Sequence, residues 1–350
     1  MSVLNIKLNS CLLFVRRTDD HVTQPNDILA LKTPLCSSLG NVVYIKTHKT
    51  SSTTVQSIFH RYGLKRNLSF VFRRANKRNG HIRYIKITKA SPKTMFLPVL
   101  GTGNCSYKGY NISAVHVVHN RPVMDSYMNP GTKYVTILRN PASQLISAFL
   151  FFHLDKNVFG TSVEEKLIRY MKGRKWMKSS YGRNSQSYDL GLSRSKFKNK
   201  TEINLLIERL SKELDLVMIA EYFEESLVLL KRELCWYFED IVYTVKNNRS
   251  RSKPPLSRNL LKEIKTFNKA DFMLYEHFNE TFWNKIAQVG PVFWKELAEF
   301  KRLQHETMFR CVNVATSSTG SVHGNHSDDL CKHLKEHTFT ALFHRQTRNC

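Results

Sequence analysis

Residues 44–56, YIKTHKTSSTTVQ, crowd two lysines, a histidine and six Ser/Thr hydroxyls together, with no acid and no glycine. Such a set consists of donors and positive charge, and the guest it suits is a phosphate- or sulfate-like anion. The preceding run, NVVYIK at 41–46, follows Gly40 and is apolar throughout its middle. It reads as a parallel strand buried on both faces. Beyond it, Val55, Ile58, Phe59 and Tyr62 fall on one face of a helix, which Gly63 is expected to stop. The hydroxyl-rich stretch therefore occupies a strand-to-helix turn. There the first helical amides lack partners and the helix dipole favours negative charge. Lys46, Lys49 and the hydroxyls of Thr50, Ser51, Ser52, Thr53 and Thr54 add to that potential.

A nucleoside-triphosphate loop of the form GxxxxGK[ST] needs glycines. None stands between Asn41 and Tyr62, so this turn must be shorter and tighter. No aspartate suited to a magnesium ion is evident beyond it. A metal-dependent triphosphatase is disfavoured, and no metal is expected.

Two more strand–helix units are legible. Lys133–Leu138, KYVTIL, is a strand, Arg139-Asn140-Pro141 is a turn, and Leu145, Ile146, Phe149 and Phe152 or His153 form a buried stripe. Leu216–Ala220, LVMIA, is a strand whose helix begins near Glu224-Glu225 and runs to about Trp236. These repeats predict an α/β protein with a mainly parallel central sheet flanked by helices. From Ser257 to about Phe309 the pattern is helical, with stripes at Leu260, Leu261, Ile264 and Phe267 and at Phe293, Leu297, Phe300 and Leu303. Residues 1–40 read as an irregular lead-in, 41–311 as the domain, and 312–350 as a loosely held polar tail.

Fifty-four Lys+Arg against 28 Asp+Glu give the 350-residue chain a net charge of +26, which attracts polyanions over long range. Much of the surplus lies in 65–95, where a solvated basic face is the simplest expectation. The seven cysteines contain no CxxC pair, which disfavours a zinc ribbon or a redox motif. Asn67, Asn104, Asn111, Asn199, Asn248, Asn279 and Asn325 each open an N-x-S/T sequon, leaning toward a secretory lumen. The apolar run at 11–15 is short for a membrane anchor or signal core.

KTHKTSSTT resembles the 5′-phosphosulfate loop of sulfotransferases that use 3′-phosphoadenosine 5′-phosphosulfate (PAPS). Its doubled KTHKT form resembles the galactose-3-O-sulfotransferases. ILRNPASQLISAF is similar to their 3′-phosphate motif, in which an arginine leads a serine by eight positions, as Arg139 leads Ser147. LVMIAEYFEESLVLLKRELCWYFEDIVY (216–243) and LYEHFNETFW (274–283) extend the likeness over roughly 41–311. The resemblance implies a P-loop-like sulfotransferase fold and transfer of sulfate from PAPS to O3 of a terminal galactose on a glycolipid or glycan. It also implies a Golgi setting with membrane association and no nucleic-acid partner. Lys46, Thr47, Lys49 and Thr50 to Thr54 would hold the phosphosulfate, and Arg139 with Ser147 the 3′-phosphate. Lys49 would reach the bridging oxygen.

A sugar hydroxyl is a weak nucleophile, so transfer wants a general base. His48 lies in the loop and matches the family's base, and histidine is the residue type most used for that work. His119, in an H-x-R element, is the second candidate, though its spacing to Arg139 is about three residues shorter than the family form. Plainer roles stand beside these. Lys46 could simply end the strand, Ser147 could bond to its own helix, and Glu221 and Glu225 could serve the strand–helix junction. A polyanion-binding module and a catalytically inactive relative are the competing functional readings.

Overall fold

The computed structural model describes residues 36–73, 75–78, 81–84, 96–97, 105–156, 158–173, 181–245, 256–316 and, beyond these, 330, 331, 334, 342, 346 and 348. Its centre is a four-stranded sheet of β1 (Val42–Ile45), β2 (Ile112–Ser113), β3 (Lys133–Leu138) and β4 (Leu216–Ile219), ordered β2-β1-β3-β4. Every pairing is parallel; Val42 faces both Ile112 and Lys133, and Val135 faces Leu216. Val42, Val43, Tyr44 and Ile45 are all buried, as a strand covered on both faces requires. Burying each such side chain contributes roughly 1.5–3 kcal/mol.

Each main strand feeds a helix. β1 leads to α1 (Ser52–Lys65) and β3 to α2 (Pro141–Phe151). β4 leads through a short 3-10 turn to α3 (Phe223–Leu234). Pro141 takes the first position of α2, and the Asn140 side chain caps it by accepting from the Ala142 and Ser143 amides. Arg258–Phe267, α4 (Lys269–Val289) and α5 (Pro291–Thr316) follow toward the C-terminus, and Val163–Lys172 and Lys200–Glu213 are further helices. The stripe Leu145, Ile146 and Phe149 packs with Leu167, Leu260, Ile264 and Phe267, while Phe293, Leu297 and Phe300 join the main core. Leu261 departs from its expected stripe and is exposed.

Gly63 does not stop α1, which continues through it to Lys65. The reason for a glycine here is close packing: a Cβ would lie 2.3 Å from Phe70 Cζ and 2.8 Å from Ile112 Cδ1. Gly63→Ala is expected to cost about 1–3 kcal/mol through overpacking, read as a lowered melting temperature.

Beyond α5 the described residues are tied to the rest of the domain. Cys331 is disulfide-bonded to Cys311, and the Leu334 and Leu342 side chains are buried. The Gln346 amide pairs with both backbone groups of Phe70, at 2.6 and 2.7 Å. Cys36 is joined to Cys235, and Trp236 stacks on Tyr62 at 3.7 Å while donating to the Leu39 carbonyl. These links fasten the described end of the lead-in to the C-terminus of α3. Within 65–95, backbone pairing forms a hairpin of Ala75–Arg78 with His81–Tyr84; its basic side chains lie outside the described residues.

Candidate active site

In an open parallel sheet, ligands bind beyond the carboxyl ends of the strands where the strand order reverses. Here the chain moves from β1 outward to β2, then returns past β1 to β3 and on to β4, so the reversal lies between β1 and β3. The turns leaving those two strands are 46–51 and 139–140, the two segments picked out by their chemistry.

The first turn is tight for a physical reason. Lys49 and Ser51 both adopt left-handed backbone, each with φ of 62°, in a loop without glycine. Each such residue costs on the order of 1–2 kcal/mol and persists only where its surroundings impose it. Alternating left-handed residues turn successive amides toward one concave side. Ser51 is the N-cap of α1, yet its side chain makes no capping bond and is exposed. Among the first α1 amides, that of Thr54 donates to the Ser51 carbonyl at 3.0 Å, and the Ser51 side chain caps none.

The loop hydroxyls differ in their surroundings. Thr47 and Thr50 are fully buried. Thr47 Oγ1 donates to the Ile137 carbonyl at 2.6 Å and contacts Thr50 Oγ1 at 2.7 Å, so both hydroxyls brace the loop against β3. Ser52 and Thr54 are buried as well, leaving Ser51 exposed and Thr53 half-buried. Lys46 is buried and donates to Gln56 Oε1 at 2.7 Å. Near it, burial and then the Lys46 charge push the His60 pKa down to about 3, so that imidazole stays neutral.

Lys49 and Arg139 come together. Arg139 Nη1 donates to the Lys49 carbonyl at 3.2 Å, and Lys49 Nζ sits 3.4 Å above the Phe151 ring at the end of α2. Burial lowers the Arg139 pKa, opposed by the charge of Glu221. Glu221 accepts from the Asn140 amide at 3.0 Å and from the Tyr275 hydroxyl at 3.2 Å, so it does serve the strand–helix junction. Glu225 lies 3.9 Å from Lys301 Nζ on α5. Ser147 is half-buried within α2 and enters none of the described hydrogen bonds.

His48 is the side chain whose surroundings are most specific. Its Nδ1 is 2.7 Å from Asp189 Oδ2, and its backbone N–H donates to the same oxygen at 3.0 Å. His116 stacks on one side of the ring at 4.0 Å, and Tyr181 contacts it at 4.6 Å, tilted by 52°. The His48 carbonyl accepts from Gln144 Nε2 at 2.9 Å. His119, the second base candidate, adjoins the same segment through its backbone, its N–H donating to the Asp189 carbonyl at 2.8 Å. Its side chain is fully enclosed, with Nε2 2.6 Å from Glu213 Oε2, and burial lowers its pKa against the raising effect of Glu213. The structure thus places this imidazole against Glu213, with no exposed edge.

Sequence reasoning missed the segment 181–189, which closes the site. Asp271 on α4 accepts from the Gln186 and Ser187 amides and from Ser187 Oγ, at 3.2, 2.7 and 2.6 Å. Burial pushes the Asp271 pKa up to about 6. Asn268, between Arg258–Phe267 and α4, accepts from the Asn184 amide at 2.9 Å. So anchored, the Gln186 side chain pairs with both backbone groups of Arg139, at 2.8 and 2.9 Å. Gln144 Nε2 bridges the His48 carbonyl and Ser185 Oγ. Asp189 lies 141 positions from His48, and no linear spacing links them. The signal available was a polar stretch rich in Asn, Ser and Gln with no apolar period, which reads equally as loop.

Among the described residues no group of three or more His, Cys, Asp or Glu is placed to hold a metal ion. Nor, among them, is any helix long and apolar enough to cross a membrane.

Residues 16–321 match the family model described as galactose-3-O-sulfotransferase. The chain is 31% identical to mouse (Mus musculus) galactosylceramide sulfotransferase over 287 residues, 79% of this chain and 65% of that protein. It is 31% identical to human (Homo sapiens) galactose-3-O-sulfotransferase 2 over 276 residues, 75% of this chain and 67% of that protein. Against bovine (Bos taurus) galactose-3-O-sulfotransferase 3 it is 30% identical over 290 residues, 77% of this chain and 63% of that protein. The chain thus spans about two thirds of the length of these relatives.

Proposed function

Because the chain belongs to the galactose-3-O-sulfotransferase family, we propose that it transfers a sulfuryl group from PAPS to the 3-hydroxyl of a terminal galactose on a glycolipid such as galactosylceramide or on a glycoprotein glycan. The observation that carries this reading is the convergence of Lys49, Arg139 and His48 at the reversal point of the sheet. The N-terminal end of α1, with Lys49 and with Arg139 bonded to the Lys49 carbonyl, suits a doubly phosphorylated nucleotide, while the imidazole of the neighbouring His48 suits a hydroxyl.

PAPS, when bound, supplies the sulfur that the sugar oxygen attacks, and its phosphate oxygen departs with the electron pair of the broken S–O bond. The protein's part is positioning and electrostatics. The α1 amides, with Ser51 and Thr53, cradle the 5′-phosphosulfate, and Lys49 offsets charge growing on the departing oxygen. Arg139 with Ser147 takes the 3′-phosphate. His48 Nε2 takes the proton from the galactose 3-hydroxyl. Thr47 and Thr50 give the loop its shape.

A secretory setting, in the Golgi lumen or on its membrane, is supported by the Cys36–Cys235 and Cys311–Cys331 disulfides, which persist in oxidising compartments. Asn67 and Asn199 are exposed sequon positions. Asn111 is not a good acceptor of glycan, since its amide donates to Asn41 and its carbonyl oxygen accepts from Ser69.

The deciding experiment is incubation with radiolabelled PAPS and a panel of galactolipids and galactosyl glycans, followed by linkage analysis. Label at O3 of galactose supports the reading; no transfer to any member of the panel overturns it. Arg139→Ala is expected to weaken binding of adenosine 3′,5′-bisphosphate by roughly tenfold to a hundredfold. Affinity for the 5′-monophosphate should barely change. Equal losses for both nucleotides in a competition assay would remove Arg139 from the 3′-phosphate.

A further inference from the structure

We propose that Asp189 is the positioning residue of this site: its carboxylate holds the His48 imidazole in the tautomer and rotation that present Nε2 to the acceptor hydroxyl. The inference rests on the reading of His48 as base.

A carboxylate only accepts hydrogen bonds, so the 2.7 Å contact with Asp189 Oδ2 puts a proton on His48 Nδ1. In the neutral ring the lone pair then lies on Nε2, where a base needs it. Rotation is restricted as well. His116 and Tyr181 lie against the ring, and His116 is itself held by a 2.8 Å bond between its Nδ1 and the Lys46 carbonyl. A carboxylate behind an imidazole also stabilises the cation that forms when the base takes its proton.

Asp189 is built to stay where it is. It ends the short helix Ser185–Asp189, whose amides are tied to Asp271, and its backbone carbonyl accepts from the His119 amide at 2.8 Å. The side chain is buried, and the charged or titratable groups acting on it are His48 and, from α4, Asp271. Burial raises the Asp189 pKa and His48 opposes that rise.

The same Oδ2 also accepts the His48 backbone N–H, so Asp189 could instead serve the shape of the loop alone. A double-mutant cycle separates the two roles. Turnover and affinity for adenosine 3′,5′-bisphosphate are measured for the full chain and for Asp189→Asn, His48→Ala and the double variant. In Asp189→Asn, kcat is expected to fall about 10²-fold, with acceptor KM and bisphosphate affinity within about threefold. In the His48→Ala background the same change should do nothing further. Additive losses, or bisphosphate affinity falling in step with kcat, would show that the carboxylate merely shapes the loop and would overturn the inference alone. Normal kcat in His48→Ala would instead remove the base reading, and the inference with it.

Discussion

Lys49→Ala is expected to lower kcat for sulfuryl transfer by about 10²–10³-fold, the range seen when one preorganised charge-stabilising group is removed. It should also weaken binding of adenosine 3′,5′-bisphosphate. Both effects follow from where the loop puts the ammonium. Lys49 has left-handed backbone, its carbonyl accepts from Arg139, and its Nζ rests over the exposed Phe151 ring. An interaction that strengthens as negative charge gathers on the departing phosphate lowers the barrier more than it stabilises the ground state. Lys49→Arg makes the test sharper. It keeps a positive charge but replaces a compact ammonium with a planar fork, so binding should largely return while kcat stays low. Single-turnover rates at saturating PAPS, with bisphosphate titrations, measure the two quantities separately. A Lys49→Ala protein within tenfold of the parent kcat would sink this role.

The elements that carry local signals were readable in advance. KYVTIL is a strand over the stated residues, because a run rich in β-branched and aromatic side chains and closed by Arg-Asn-Pro favours that conformation. The strand–loop–helix around 42–65 was likewise legible. Side-chain direction inside that loop was not. Thr47 and Ser51 look alike in sequence, yet one hydroxyl is buried against Ile137 and the other faces solvent. That difference is set by β3, which lies 90 positions away from Thr47. Gly63 misled for a similar reason: a glycine that stops a helix and one that admits a phenylalanine ring are indistinguishable until Phe70 is in place. Nor could the sequence place His119 against Glu213, or hold the segment ending at Asp189 to Asp271, since both are tertiary contacts.

His48→Ala isolates the proton transfer from the handling of charge. The loop should survive the substitution, because the contacts that shape it at this position are made by the His48 backbone, with the N–H bonded to Asp189 and the carbonyl to Gln144. Nucleotide affinity is therefore expected to remain within about twofold, while kcat falls about 10²–10⁴-fold, the usual worth of a positioned base. Removing the ring also leaves a planar gap between His116 and Tyr181, with the Asp189 carboxylate at its edge. Free imidazole should enter that gap, donate one N–H to Asp189 and restore part of the lost turnover in a concentration-dependent manner. Lys49→Ala offers no such gap and should not respond. Parent-like turnover in His48→Ala would exclude the imidazole as base. A fall in nucleotide affinity as large as the fall in kcat would assign the ring to binding.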